Sequence, residues 1–356
     1  MGANVGSSAT RRKNSESRKT EEVQVLTTSA SGRAFDFSHI VGGRQITGIV
    51  NLAFGEDDDV YIVKKAAGFT DVLRLSIGDV PEDEEITATF SQVNDRFFRG
   101  AWPACVAVGL DSNVYVTDEL RNVVTVFDRD GLFLNHVGGG GNGEGQFDRP
   151  SGIVFNASGN MLIVDTLNHR VQEVTTDGTF VNGWGSQGSA EGQFQSPWGI
   201  AVDSNGDVYV ADHKNHRVQK FDSTGGLISS IGEHGSEPGQ FDHPSDVAVD
   251  PDGDIYVCDW VNNRVQVFDR EYGFISELGG AAIELSKWQK QYVRGNPDVH
   301  KARRRVASLD LEAKFALPTG VKFDVARSRL FVIDSQRWRI QIFEKLDGYA
   351  DPQFNI

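Results

Sequence analysis

The side chains with chemistry to offer crowd into one stretch of this sequence. His213, His234 and His243 follow one another closely, with Trp198, Ser245 and Trp260 around them. Imidazoles brought together from loops can hold zinc or another divalent metal, or work as general bases near neutral pH. A centre built on His213, His234 and His243 would suit a metal-dependent lyase or hydrolase. The competing reading needs no cofactor. It takes Trp198, His213, His243, Ser245 and Trp260 as a binding patch, with the tryptophans as large amphipathic anchors.

Other motifs resolve into turn chemistry. Asp250-Pro251-Asp252-Gly253-Asp254 alternates acids as a calcium loop does, but no Glu stands at the twelfth position, so a hairpin turn is the expectation. The run Gly138 to Gly145 lacks the Lys and Ser/Thr of a phosphate-binding loop and leads toward a strand instead of a helix. It reads as a crossover, with Phe147, Phe194 and Phe241 plugging the space between sheets. Asp165/Arg170, Asp212/Arg217, Asp259/Arg264 and Asp334/Arg339 recur too regularly for catalysis and are expected to fasten a turn. His169 and His216 belong to the same repeated Asn-His-Arg turn and take the structural reading with them.

These side chains need elements to position them, and the elements repeat. Gln193 to Asp222 holds three β-patterned runs, Gly199–Asp203, Asp207–Ala211 and Arg217–Phe221, separated by polar turns. The unit opens on Pro103, Pro150, Pro197, Pro244 and Pro318, and the first three intervals are 47 residues each. Asp118, Asp165, Asp212, Asp259 and Asp334 close the second run of each copy. A weaker copy upstream has Ile49 for the Pro and Lys64 for the Asp. A period of about 40–50 residues with four strands is that of a propeller blade. The run Arg33–Val41 resembles the outermost strand of later copies, whereas the last copy lacks a good fourth strand. The N-terminal run is therefore expected to complete blade 6.

The GQFxxPxGIAVDxxGxVYVADxxNHRVQKFD pattern resembles the NHL-repeat family, and the resemblance implies an all-β, six-bladed β-propeller over residues 33–356. The propeller is also similar to that of peptidyl-α-hydroxyglycine amidating lyase, whose zinc histidines directly follow the blade-opening Pro. The matching residues here are Val50, Ala104, Ser151, Trp198, Ser245 and Thr319, and none is His. The tyrosine of that lyase is matched by Leu120, Leu167, Lys214, Val261 and Gln336. That zinc site and that activity are not expected.

Residues 1–32, poor in large apolar side chains, are expected to be a disordered tail. Residues 281–312 interrupt the period between blades 5 and 6. There Asn296-Pro297-Asp298 predicts a helix start, and Lys287, Lys290, Arg294, Lys301 and Arg303 to Arg305 make a basic lid over the patch. The net charge of −15 argues against nucleic acid, which is held through Lys and Arg. Cys105 and Cys258 lie in different blades and read as small buried apolar residues. No apolar run approaches a membrane span, and no signal-peptide core stands at the N-terminus, so a cytoplasmic protein is expected. The first expectation is a soluble, non-enzymatic propeller that binds a protein, peptide or small molecule on the face of its blade-linking loops. A metal-dependent lyase or hydrolase is the alternative, and RNA binding comes last.

Overall fold

The computed structural model describes residues 27–30, 33–66, 69–91, 100–282, 284–306, 308 and 310–346. Six sheets form a ring. Blades 1 to 5 have four antiparallel strands each, beginning at Ile49, Pro103, Pro150, Ile200 and Pro244. Blade 6 comprises Gly320–Asp324, Arg329–Asp334 and Arg339–Lys345, and Arg33–Gly42 supplies its next strand, pairing Phe35 with Lys345 and Phe37 with Phe343. The expected closure by the N-terminal strand is therefore the one observed. It goes one strand further, because Thr27–Ala30, placed in the tail by the sequence reading, pairs with Arg33–Asp36 as a fifth strand. Residues 1–26 of the expected tail lie outside the described residues.

The core is a set of wedges between neighbouring blades, since a sheet buried on both faces needs a partner on each. Phe147, Phe194 and Phe241 are fully buried, each in a cluster drawn from two adjacent blades. The glycines ahead of them leave that space. At Gly185 (φ +97°) a Cβ would lie 2.5 Å from the Phe194 ring.

The repeated Asp fastens its turn as expected, and more besides. Asp212 Oδ2 accepts from Asn215 Nδ2 and Arg217 Nε, each at 2.9 Å, while Oδ1 accepts the Gln195 amide at 2.7 Å. Arg217 Nη2 donates to the Ala190 and Gln193 carbonyls, so the staple also holds the incoming Gly-rich loop. Asp250 to Asp254 forms a hairpin turn of blade 5. Lys345 Nζ, from blade 6, lies 2.5, 2.8 and 2.9 Å from carboxylate oxygens of Asp250, Asp252 and Asp254. An ammonium thus occupies the place between the three acids.

The insertion folds into α1 (Lys287–Gly295), α2 (Pro297–Arg304) and α3 (Asp310–Ala313). Pro297 opens α2 as expected, but Asn296 gives α2 no side-chain cap. Its Nδ2 donates to the Tyr292 carbonyl at the end of α1. Cys105 and Cys258 are both buried, free thiols. Among the described residues no helix is long and apolar enough to cross a membrane.

Candidate functional site

Where the innermost strands begin, the ring leaves an axial cavity of about 260 Å³. Its wall repeats with the blades. The residue after each blade-opening position contributes Val50, Ala104, Ser151, Trp198, Ser245 and Thr319, and the next contributes Asn51, Cys105, Gly152, Gly199 and Asp246. Lys65, Trp102 and Glu119 complete it.

Most hydroxyls in this wall are already engaged. Ser151 Oγ donates to the Trp198 carbonyl (2.8 Å), Ser245 Oγ to the Pro318 carbonyl (3.3 Å) and Thr319 Oγ1 to the Val50 carbonyl (2.9 Å). His213 Nδ1 donates to the Pro244 carbonyl at 3.1 Å in the same manner. Each bond crosses to the next blade, so together they form a belt that stitches the ring. They commit these hydroxyl hydrogens and His213 Nδ1 to backbone carbonyls.

The unspent polarity lies elsewhere. Lys65 Nζ sits 3.2 Å from Glu119 Oε2 and 4.7 Å from the centre of the Trp102 ring. Burial lowers the Lys65 pKa, and the Glu119 charge opposes that shift. Asp246 is 1% exposed beneath the cavity, with Oδ2 2.8 Å from Lys322 Nζ. Burial raises the Asp246 pKa against the pull of the Lys322 charge. Its Oδ1 has no hydrogen-bond partner among the described residues, and neither has Asn51 Oδ1. Glycine is required beside Asp246, because a Cβ at Gly199 would stand 2.4 Å from that oxygen.

The mouth is therefore two-sided. Blades 1 and 2 bring the charged pair and Trp102. Blades 4 and 5 bring Trp198, its ring centre 4.4 Å from that of the tilted His213 ring and 6.0 Å from that of Trp260, which meets it edge-on. Of the five residues expected to form a binding patch, the structure brings Trp198, His213, His243 and Trp260 into one contiguous group, with His213 and His243 4.9 Å apart. Only Trp198 and Ser245 line the cavity itself.

Two expectations need correction. His213, His234 and His243 do not converge as a ligand set. His213 is buried with Nδ1 committed to Pro244, and burial above all lowers its pKa to about 4. The trio whose ligand atoms do converge is His216, His234 and Asp242. The insertion is not a lid over this mouth either. Trp288 of α1, partly buried, packs against the core between blades 6 and 1, Lys287 Nζ donates to the Glu82 and Glu84 carbonyls, and no described residue of 284–313 lines the cavity.

Lys65, Glu119 and Trp102 were missed by sequence reasoning, yet a signal exists. Lys65, Glu119, Thr166, His213, Trp260 and Ser335 all follow the blade Asp or its Lys64 counterpart. Read as a column, this position carries opposite charges on the adjacent blades 1 and 2.

Comparison with known proteins agrees with the geometry. A family model described as NHL repeat matches residues 194–221 and 241–268, and one described as a 6-bladed beta-propeller matches residues 108–181. No curated protein matches the sequence. Among solved structures, virginiamycin B lyase from Staphylococcus aureus superposes with a TM-score of 0.55 at 14% identity, over 87% of this chain and 99% of that one. A gluconolactonase from Xanthomonas campestris gives 0.57 at 14% identity, over 88% and 90%. A protein of unknown function from Bacteroides thetaiotaomicron gives 0.58 at 17% identity, over 90% and 76%. At such identities the likeness is one of fold.

Proposed function

From a chain that is a six-bladed β-propeller carrying NHL repeats, we infer a non-enzymatic binding protein whose small-molecule ligand enters the axial cavity from the face of the blade-linking loops. The observation that carries this reading is the pairing of Lys65 with Glu119 over Trp102, across the mouth from Trp198. A cleft with aromatic walls and a few convergent polar groups is the usual form of a ligand site. The volume suits a compact ligand that offers a flat or apolar face to the tryptophans and hydrogen-bonding groups to the ion pair. Lyase and gluconolactonase relatives show that the fold also hosts enzymes. In favour of binding here, the blade-opening ring carries no histidine and its hydroxyls are tied to backbone carbonyls.

The test uses intrinsic tryptophan fluorescence of the full chain, titrated with an aldonolactone, a hexose and an aromatic amino acid. We expect saturable quenching by at least one probe. Trp198→Ala or Lys65→Met should weaken it about tenfold or more, equivalent to about 1.4 kcal/mol. Trp338→Ala, outside the cavity, should leave it unchanged. Saturation that survives both cavity substitutions would place the ligand elsewhere.

A further inference from the structure

The link from blade 4 to blade 5 holds four imidazoles in a chain of contacts. Ring centres of His213 and His243 lie 4.9 Å apart, those of His243 and His216 4.5 Å, and those of His216 and His234 4.3 Å. Asp242 sits among them. Its Oδ1 is 2.6 Å from His243 Nδ1, 3.6 Å from His216 Nδ1 and 3.8 Å from His234 Nε2. Two ligands on one tetrahedral zinc, with bonds of about 2.0–2.2 Å, stand about 3.3–3.5 Å apart. The two distances from the carboxylate to His216 and His234 exceed that by only a few tenths of an ångström, and all three ligand atoms lie within 4.8 Å of one another. His234, its side chain 68% exposed, has room to close the gap.

The repeat supplies an internal control. One blade earlier His169 accepts the Ser196 amide on Nδ1 at 3.1 Å, just as His216 accepts the His243 amide at 3.2 Å. The bridges Gln187–Phe194 and His234–Phe241 show that the two loops share one backbone course. A histidine at the position of His216 thus belongs to the turn. The other three positions hold Gln187, Gln195 and Ser196 in the earlier link, and His234, Asp242 and His243 in this one. Turn-making explains His216 but leaves this triple change unexplained.

We propose that His216, His234 and Asp242 form a binding site for a divalent transition metal, zinc being the type ion, with His243 orienting the carboxylate. Two imidazole nitrogens and one carboxylate oxygen suit zinc, copper or nickel, whereas calcium and magnesium take oxygen ligands. The bond from His243 Nδ1–H to Asp242 is the outer-shell contact that aims a ligating carboxylate. His216 Nδ1 exchanges its bond from the His243 amide for the bond to the metal. Three protein ligands leave a fourth position for water or another molecule. The site stands apart from the axial cavity, so neither reading depends on the other.

The experiment is zinc titration by calorimetry of the untagged full chain, stripped beforehand with a chelator. One ion per chain is expected. His234→Gln and Asp242→Gln install the residues that the preceding repeat carries, so the fold should persist, as thermal unfolding without metal will verify. Each should weaken zinc binding by about tenfold or more. Cobalt(II) bound to the wild type should show the visible bands of four-coordinate cobalt, absent from the His234→Gln protein. Failure of the wild type to take up zinc at micromolar concentration overturns the proposal. So does uptake that neither substitution changes.

Discussion

Replacing Lys345 with Met is expected to destabilise the propeller by about 3–5 kcal/mol, the usual consequence of removing one partner of a buried charge group. Lys345 stands on the last strand of blade 6, and its ammonium is the common partner of Asp250, Asp252 and Asp254 on blade 5. The Asp250 and Asp254 side chains are fully buried. Methionine would fill the space of the stem while abandoning both. Arg33 offsets part of the loss, because its guanidinium grips Asp254 with two bonds of 2.9 Å. It reaches from the strand that closes blade 6. Both ends of the described chain are therefore clamped to one turn.

The pH dependence identifies the cause. The Lys345 pKa is raised to about 12: burial works against the charge, and the three carboxylates outweigh it. Burial tends to raise the Asp254 pKa, but Arg33 and Lys345 leave it below the ordinary carboxylate value. A depressed carboxylate pKa stabilises the fold above the unfolded value and loses that contribution as pH falls through the folded one. In the Met variant Asp254 loses part of this support and protonates more readily. The difference from wild type should be largest at neutral pH and shrink toward pH 4. Urea midpoints at pH 7 and pH 4.5 measure this. Equal midpoints at pH 7 would show that the three acids need no ammonium.

Much of the architecture was legible because each blade repeats the same solution to the same burial problem. Pro, Asp, Arg and the plugging Phe recur at fixed offsets, and each has one physical job that a reader can name. Legibility fails where a residue's role depends on a neighbouring blade. His213 reads as a free imidazole in sequence, and only the approach of the Pro244 carbonyl shows its Nδ1 to be spent. Lys65 and Glu119 lie 54 residues apart and become a site only when blades 1 and 2 meet. The insertion's direction was likewise hidden. Its first helix went unread although a signal exists: Ser286 and Gln289 form a capping box whose S-x-x-Q signature stands ahead of α1, whereas the reading placed the helix start at Asn296. What no signature discloses is that this helix turns away from the axis and docks over Glu84.

That docking should make stability fall with rising pH, and Glu84→Gln should abolish the effect. Glu84 is 1% exposed, and neither carboxyl oxygen has a hydrogen-bond partner among the described residues. Burial is the main cause that lifts its pKa from the ordinary 4.5 to about 7, against the pull of nearby Trp288, Gly42 and Lys287 amides and the Lys287 charge. The folded state therefore holds a proton that the unfolded state releases. Stability due to this group is complete below about pH 4.5, declines as pH rises toward 7, and stays low above it. The whole change is worth about 3 kcal/mol. Glutamine keeps the shape of the protonated acid without the charge. The variant should match wild type near pH 4.5 and exceed it by up to about 3 kcal/mol at pH 8. Buried His39, whose pKa burial lowers to about 4, adds an opposite slope common to both proteins, and the difference cancels it. Denaturation curves across this range, with hydrogen exchange in residues 284–306 as a local readout, decide the matter. Parallel profiles for the two proteins would mean that Glu84 is ionised at neutral pH without cost, and that α1 is held by its other contacts, Trp288, Ser286 and Lys287 among them.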